Sequence, residues 1–317
     1  MTPRQSQNGR SNGDVRSGSG DVRPGSQSGA NGERRREELA DFLRTKRSSL
    51  QPEDVGLPDG GRRRTPGLRR EEVALLAGVG TTWYTWLEQG RDVRASLEVL
   101  EAVARALHLT PAERSHLILL GRGEQASPCK PPAEKVSPTL RRLVENVGPG
   151  PTYLLGRRWD YLAWNKAFEC VFSWEPGPDP LSRNHVWVWF MDPTRRTLCS
   201  EDWATNARLV VAKFRADSAR NIGDPAFEEL ISALNSSSPE FRKLWKRHEV
   251  AGSGEGRKEL THPTQGRLTF DHAVFHHGDD GEQRLVVYSP SPEHDTRAKL
   301  ARLLESEHAR DLVSVTR

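Results

Sequence analysis

At 317 residues, with 35% hydrophobic side chains, nine Trp and nine Phe, the chain is longer than one ordinary domain of about 100–200 residues and apolar enough for two cores. A net charge of +4 is compatible with a polyanionic partner but too small to demonstrate one, and no run approaches the roughly 18 consecutive apolar residues that span a bilayer. Cys129, Cys170 and Cys199 are scattered, with no C-x-x-C pair, which argues against a disulfide framework or a zinc ribbon.

Residues 1–32 are Gly, Ser, Asn, Gln and scattered Arg, with almost nothing to bury, and are expected to form a disordered tail. They hold no apolar run resembling a signal peptide, so the expected location is the cytoplasm. From Glu33 the spacing of Leu39, Phe42 and Leu43 predicts a first helix ending before Pro52. A polar loop leads to the run Arg62-Arg63-Arg64-Thr65-Pro66-Gly67. Four closely spaced helices follow: residues 69–77, residues 81–89, one capped by Ser96, and one opened by the capping box Thr110-Pro111-Ala112-Glu113. These five helices, residues 33–121, predict an all-α bundle. Residues 122–136 read as a linker.

The second domain, residues 137–306, opens with a helix at 139–147. Two short apolar runs, 152–155 and 161–164, read as a hairpin, and Asn165 caps the next helix. Amphipathic helices are expected around Trp203–Phe214, after Asp224-Pro225 and after Ser238-Pro239. Beyond a polar loop at 252–256 the period drops to two, with Leu268, Phe270, His272 and Val274 on one face and 285–288 as a partner strand. A final helix carries Ala301, Leu303 and Leu304, and residues 307–317 are expected to be flexible. The order predicts an α+β domain.

The residues that carry chemistry lie between Arg70 and Gln89. A helix-turn-helix needs a small residue where its second helix crosses the first, and Ala74 stands there. It needs a residue tolerant of positive φ at the turn four positions later, and Gly78 stands there. Val73, Ala77, Val79, Tyr84 and Leu87 supply the inward positions. The outward positions of the second helix are then Thr81, Thr82, Thr85 and Trp86, the expected contacts to DNA bases. A tryptophan on a helix surface can also pack on a neighbouring helix or at a dimer seam, so Trp86 stays open between these roles. Arg62, Arg63, Arg64, Arg69 and Arg70 give residues 60–70 a charge of +5 with no acid among them, the pattern of a phosphate clamp. The expected partners are double-stranded DNA and, as a homodimer, a second copy of the chain.

The runs RRRTPGLRREE at 62–72, VALLAGV at 73–79, WYTWLEQGRD at 83–92 and LEVLEAVARALHLTPAERSHL at 97–117 also resemble the MmyB-like branch of the XRE-type helix-turn-helix regulators. The resemblance continues through SPTLRRL at 137–143, YLLGRRWDYLAWN at 153–165, SPEFRKLWKRHEV at 238–250 and RLVVYSP at 284–290, and covers residues 37–305. It implies a PAS-like C-terminal domain and a fatty-acid-type ligand. The chain departs from the family at Gly80, where Ser usually caps the recognition helix.

Ten aromatic residues fall between Trp159 and Trp203, as they do around apolar pockets and in plain cores alike. Trp164, Phe172, Trp187, Phe190, Trp203 and Phe214 are the candidates for a pocket around a small apolar ligand. The alternative is a C-terminal domain that serves only dimerisation or protein interaction. No G-x-S-x-G elbow or P-loop is present, and His272 and His276 sit four apart on a predicted strand, too far to share a metal easily. No enzymatic activity, cofactor or metal is therefore expected.

Overall fold

The computed structural model describes residues 25–58, 66–123, 134–199, 202–252, 254–277 and 283–315. Helix α1 spans Gly25–Ser49. It starts before the predicted boundary at residue 33 because its first turns have a surface to lie on: Asn31 is buried against Gly223, and Arg34 pairs with Glu228. Pro52 then opens a 3₁₀ turn that ends at Gly56 with φ 73°. A close approach follows at Gly67, where a Cβ would lie 2.5 Å from the carbonyl oxygen of Arg47. The Leu68 N–H donates to that same carbonyl at 3.1 Å, so the chain is tied to the end of α1 just before the motif begins.

Helices α2 (Arg70–Ala77) and α3 (Thr81–Glu88) are joined through Gly78, at φ 66°, whose N–H donates to Leu75 while that of Val79 donates to Ala74. These bonds satisfy the last carbonyls of α2, which end-of-helix geometry otherwise leaves open. Helix α4 (Leu97–Ala106) is capped by Ser96, and α5 (Pro111–Arg122) by the reciprocal Thr110 and Glu113 bonds at 3.4 and 2.9 Å. Phe42, Leu43, Val73, Tyr84, Leu100 and Leu117 meet in the bundle core.

The second domain comprises α6 (Pro138–Asn146), β1 (Thr152–Leu155), β2 (Tyr161–Trp164), α7 (Lys166–Phe172), α8 (His185–Met191), α9 (Pro193–Leu198) and α10 (Trp203–Ser218). It continues with α11 (Pro225–Ser237), α12 (Pro239–Trp245), β3 (Gly256–His262), β4 (Gly266–His277), β5 (Gln283–Pro290) and α13 (Thr296–Val315). The strands form one antiparallel sheet in the order β2-β1-β5-β4-β3, which fits the PAS-like expectation. Strand alternation sorts its two faces. Tyr153, Leu155, Phe270 and Tyr288 point towards a large aromatic core under α7–α10, whereas Leu154, Ala163 and Leu285 meet α6 behind.

Four elements differ from the sequence expectation. Strand β3 opens at Gly256, the last residue of the expected polar loop, and extends through residues for which the sequence marks no strand; its inward positions are Lys258, Leu260 and His262, and the two polar side chains mask the alternation. Helices α8 and α9 were not anticipated, and both are made by caps: the Asn184 side chain accepts from the Val186 and Trp187 N–H groups, and that of Asp192 accepts from Thr194. Helix α13 runs to Val315, past the expected end at 306, since neither Gly nor Pro interrupts it. At the expected linker, α5 continues through Arg122, and Glu134 and Val136 already belong to the second domain: Glu134 accepts the Arg157 N–H at 2.7 Å, and Val136 packs behind the sheet. Residues 124–133 lie outside the described residues.

Candidate nucleic-acid interface and ligand chamber

Helix α3 has two unlike faces. Tyr84, Leu87 and Glu88 are fully buried or nearly so, Trp83 packs against the bundle core, and Thr81 and Thr82 stand exposed on the first turn. Thr85 is half-buried, and Trp86 keeps 39% of its surface exposed with the Arg91 guanidinium 5.8 Å from its ring. Gly80 holds the N-cap position in an extended conformation with no side-chain cap, so the first N–H groups of α3 gain no partner from it. Arg69 is exposed at the start of α2, where its backbone N–H donates to Glu72 at 2.7 Å. Arg62, Arg63 and Arg64 lie outside the described residues.

The end of α3 is fixed by an ion cluster that the sequence reading missed. Glu88 has no exposed surface; Arg47 of α1 grips its carboxylate with two bonds of 2.7 and 2.9 Å, and Arg70 of α2 adds a third at 3.0 Å. Burial alone would raise the Glu88 pKa, but the hydrogen bonds and charge of Arg47, joined by Arg70, outweigh it and hold the carboxyl below its usual value. Arg70 thus has a structural partner, which the assignment of all five arginines to phosphate did not foresee. The same burial, with the Glu88 charge beside it, drives the Tyr84 phenol far above its ordinary range.

In the second domain, Phe172 and Phe214 are buried in the aromatic core, and Trp164, Trp187, Phe190 and Trp203 pack against it from partly exposed positions. They do not converge on one space. Trp187 lines an open cleft of about 850 Å³ with Glu169, Trp174, Met191, Asp192 and Thr194. Trp164 stands beside it, edge-on to Trp174 at 4.7 Å with its Nε1 donating to Glu169. Phe190 and Trp203 instead pair with each other at 5.9 Å, and Phe190 reaches Phe241 of α12 at 5.3 Å. Polar groups unnoticed in the sequence sit deeper. The His185 ring nitrogens meet the Tyr161 hydroxyl at 2.7 Å and the Trp189 Nε1 at 3.0 Å, and Lys258 lies over the Trp189 ring at 4.3 Å. Burial pushes Lys258 down to about 8 against the pull of Cys199, and the charges of Arg195 and Lys213 push the same way.

A helix-turn-helix domain profile matches residues 31–117, and the profile described as the MmyB-like transcription regulator ligand binding domain matches residues 136–304, more than half of the chain. The chain belongs to the MmyB-like transcription regulators. It therefore carries a DNA-binding helix-turn-helix ahead of a ligand-binding domain, with α2 and α3 as the two helices of the motif. Comparison with curated proteins gives no match. No helix among the described residues is long and apolar enough to cross a membrane.

The two halves of this MmyB-like regulator share a core. Ala219 and Val250 of the ligand-binding domain are buried together with the helix-turn-helix bundle, joined by Ala216 and Ile222. At the centre, Arg215 of α10, 1% exposed, donates to Glu38 of α1 and to the Trp245 carbonyl, with its guanidinium 3.8 Å from the Trp245 ring. His248 sits 3.5 Å from the same carboxylate. Burial alone would raise Glu38; the close approach of His248 and the charge of Arg215 outweigh it and hold it at about 2.

His116 of α5 completes the junction. It packs edge-on to Phe42 at 5.1 Å, neither ring nitrogen has a hydrogen-bond partner among the described residues, and burial, with the positive charges of Arg215, His248 and Arg220, lowers it to about 4 against the pull of Glu38. The unfolded chain therefore binds this proton more readily than the folded one. Its effect is absent above pH 6.5 and destabilising as pH falls towards 4, by about 3 kcal/mol in total. Glu38 acts lower: its stabilisation is present above its ordinary value and lost as pH falls towards 2. Urea midpoints at pH 7.5 and 4.5 should differ markedly less in His116→Leu than in the parent chain. An unchanged difference would remove His116 as the cause.

Proposed function

We propose that this regulator binds an operator in the cytoplasm as a homodimer, with the first turn of α3 in the major groove and half-sites about one helical turn apart. Thr81 and Thr82 are the principal base readers, assisted by Thr85 and Trp86. The observation that carries this reading is the exposure of Thr81 and Thr82 on a helix whose opposite side is locked by buried Tyr84, Leu87 and Glu88. Arg69 and the run Arg62-Arg63-Arg64 hold phosphates, which supplies affinity and register without sequence information. Arg70 divides itself between phosphate and Glu88.

Thr82→Ala should cost about 1–3 kcal/mol of discrimination at a single base pair while leaving binding to random DNA nearly unchanged. Competition binding at fixed salt measures both. An equal loss on every sequence would assign Thr82 to the backbone or to packing instead.

The ligand-binding domain senses a small, fatty-acid-like molecule whose apolar body lies among the core aromatics. A route from that core to the DNA-binding half supports a regulatory role: Phe190 meets Phe241, Phe241 stacks on Trp245 at 5.4 Å, and Trp245 carries Arg215, which holds Glu38 of α1. A ligand acts here only through its preference for one arrangement of this junction, and couplings of about 1–3 kcal/mol are typical.

A further inference from the structure

We propose that the ligand-binding domain receives an amphiphile with a doubly charged oxyanion headgroup, of the phosphate monoester type, held by Arg195 and Lys258. This rests on the reading of the domain as a sensor of a small, largely apolar molecule. Arg195, on α9, is 4% exposed, and its Nε and Nη2 are buried with no hydrogen-bond partner among the described residues. The guanidinium lies over the rings of Phe172 at 4.0 Å and Phe168 at 5.4 Å, which stabilise its charge but accept none of its N–H bonds in the manner of an anion. A buried guanidinium is ordinarily paired with an acid, and removing the acid from such a pair is costly. Arg195 therefore has the form of half a pair.

Two lysines stand on neighbouring elements. Lys258 faces inward, in step with Leu260, from β3, the strand against which α9 packs. Lys213 approaches from α10; it lowers the Lys258 pKa, both lysines lower that of His272, and Arg195 acts on Lys258 and His185 likewise. Among the described residues none of the three cations has an ion pair with a carboxylate. Asp217 is engaged by Arg284 at 2.7 Å and by the Trp159 Nε1 at 2.9 Å, and the Asp192 side chain caps α9. Lys258 and His185 are half-buried, so a small molecule has surface to reach on both.

The chemistry of the occupant follows. A single carboxylate would satisfy the fork of Arg195 and leave Lys258 facing a cation. A phosphate monoester offers two oxygens to the guanidinium fork and a third to the ammonium, and its two charges balance both. His185 adds a donor indirectly: since the Trp189 N–H must donate to Nε2, the imidazole carries its proton on Nδ1 and gives it to the Tyr161 oxygen, which frees the Tyr161 O–H for the ligand.

The full chain is titrated calorimetrically with decyl phosphate, decanoate and decanol below their aggregation limits, alongside Arg195→Met and Lys258→Met. Decyl phosphate should bind at least tenfold more tightly than decanoate, and each variant should remove most of that preference. Without ligand, Arg195→Met should melt at a higher temperature than the parent, because a buried unpaired charge has gone. Decanoate binding as well as decyl phosphate overturns the dianion proposal and leaves apolar sensing intact. Decanol binding as tightly as both overturns the anion site altogether. A lower melting temperature of ligand-free Arg195→Met makes Arg195 structural and overturns the proposal as well, while binding of none of the three overturns the sensor reading with it.

Discussion

Glu88→Ala should lower the stability of the helix-turn-helix half by about 3–5 kcal/mol, the usual cost of removing one partner of a buried ion pair. The carboxylate is fully buried, and Arg47, whose side chain is 12% exposed, would be left inside the bundle with only the Leu68 carbonyl at 2.7 Å for company. Arg70 contributes less to this loss, since 40% of its side chain reaches solvent and its charge can be hydrated. The damage extends to DNA binding, because Glu88 is what ties the end of α3 to α1 and α2 and so aims Thr81 and Thr82. Urea unfolding followed by tryptophan fluorescence measures the first effect and operator affinity the second. A loss under about 1 kcal/mol would mean that the cluster is not what holds α3 in place.

Arg215→Met should be comparably damaging, again by about 3–5 kcal/mol, and for a reason that joins the two halves. It leaves Glu38, half-buried beside His248, without its main cation and removes the guanidinium donor from the Trp245 carbonyl. Glu38→Gln should be costly as well, because it leaves the buried Arg215 guanidinium without its acid, and the double variant should be more stable than the sum of the single losses predicts, with a coupling above about 1 kcal/mol. Strict additivity in urea unfolding would show that Glu38 and Arg215 do not act as a pair. The stack from Phe190 through Phe241 and Trp245 would then end short of α1, and another path between the domains would be required.

The helix-turn-helix was legible because its determinants are local. Ala74, Gly78, Val73, Tyr84 and Leu87 all fall inside one twenty-residue window, and the caps at Ser96, Thr110 and Asn165 announce their helices within four residues. The ion cluster was not legible, because Arg47 and Glu88 are 41 residues apart and nothing local marks either as buried. A single hint existed: Glu88 follows Leu87 on the side of α3 that also carries Tyr84, an odd place for a carboxylate. Arg195 and Lys258 were hidden for a different reason. Each lies in an element the sequence concealed, α9 behind a short Asp-Pro cap and β3 behind a strand pattern with two polar inward positions. The aromatic candidates for a pocket all adjoin one core, yet composition could not divide them between the cleft at Trp187 and the stack at Phe190 and Trp203. The early start of α1 escaped because Asn31 is held by Gly223, nearly two hundred residues away.

Incubation of the purified chain with random-sequence duplex DNA, followed by recovery and sequencing of the bound fraction at moderate and low salt, tests the central claim most directly. The account predicts a recovered sequence with related half-sites one turn apart, and a change at one position of each half-site when Thr82→Ala is used instead. Retention of no duplex at low ionic strength, or retention of all sequences equally by both proteins, would contradict it.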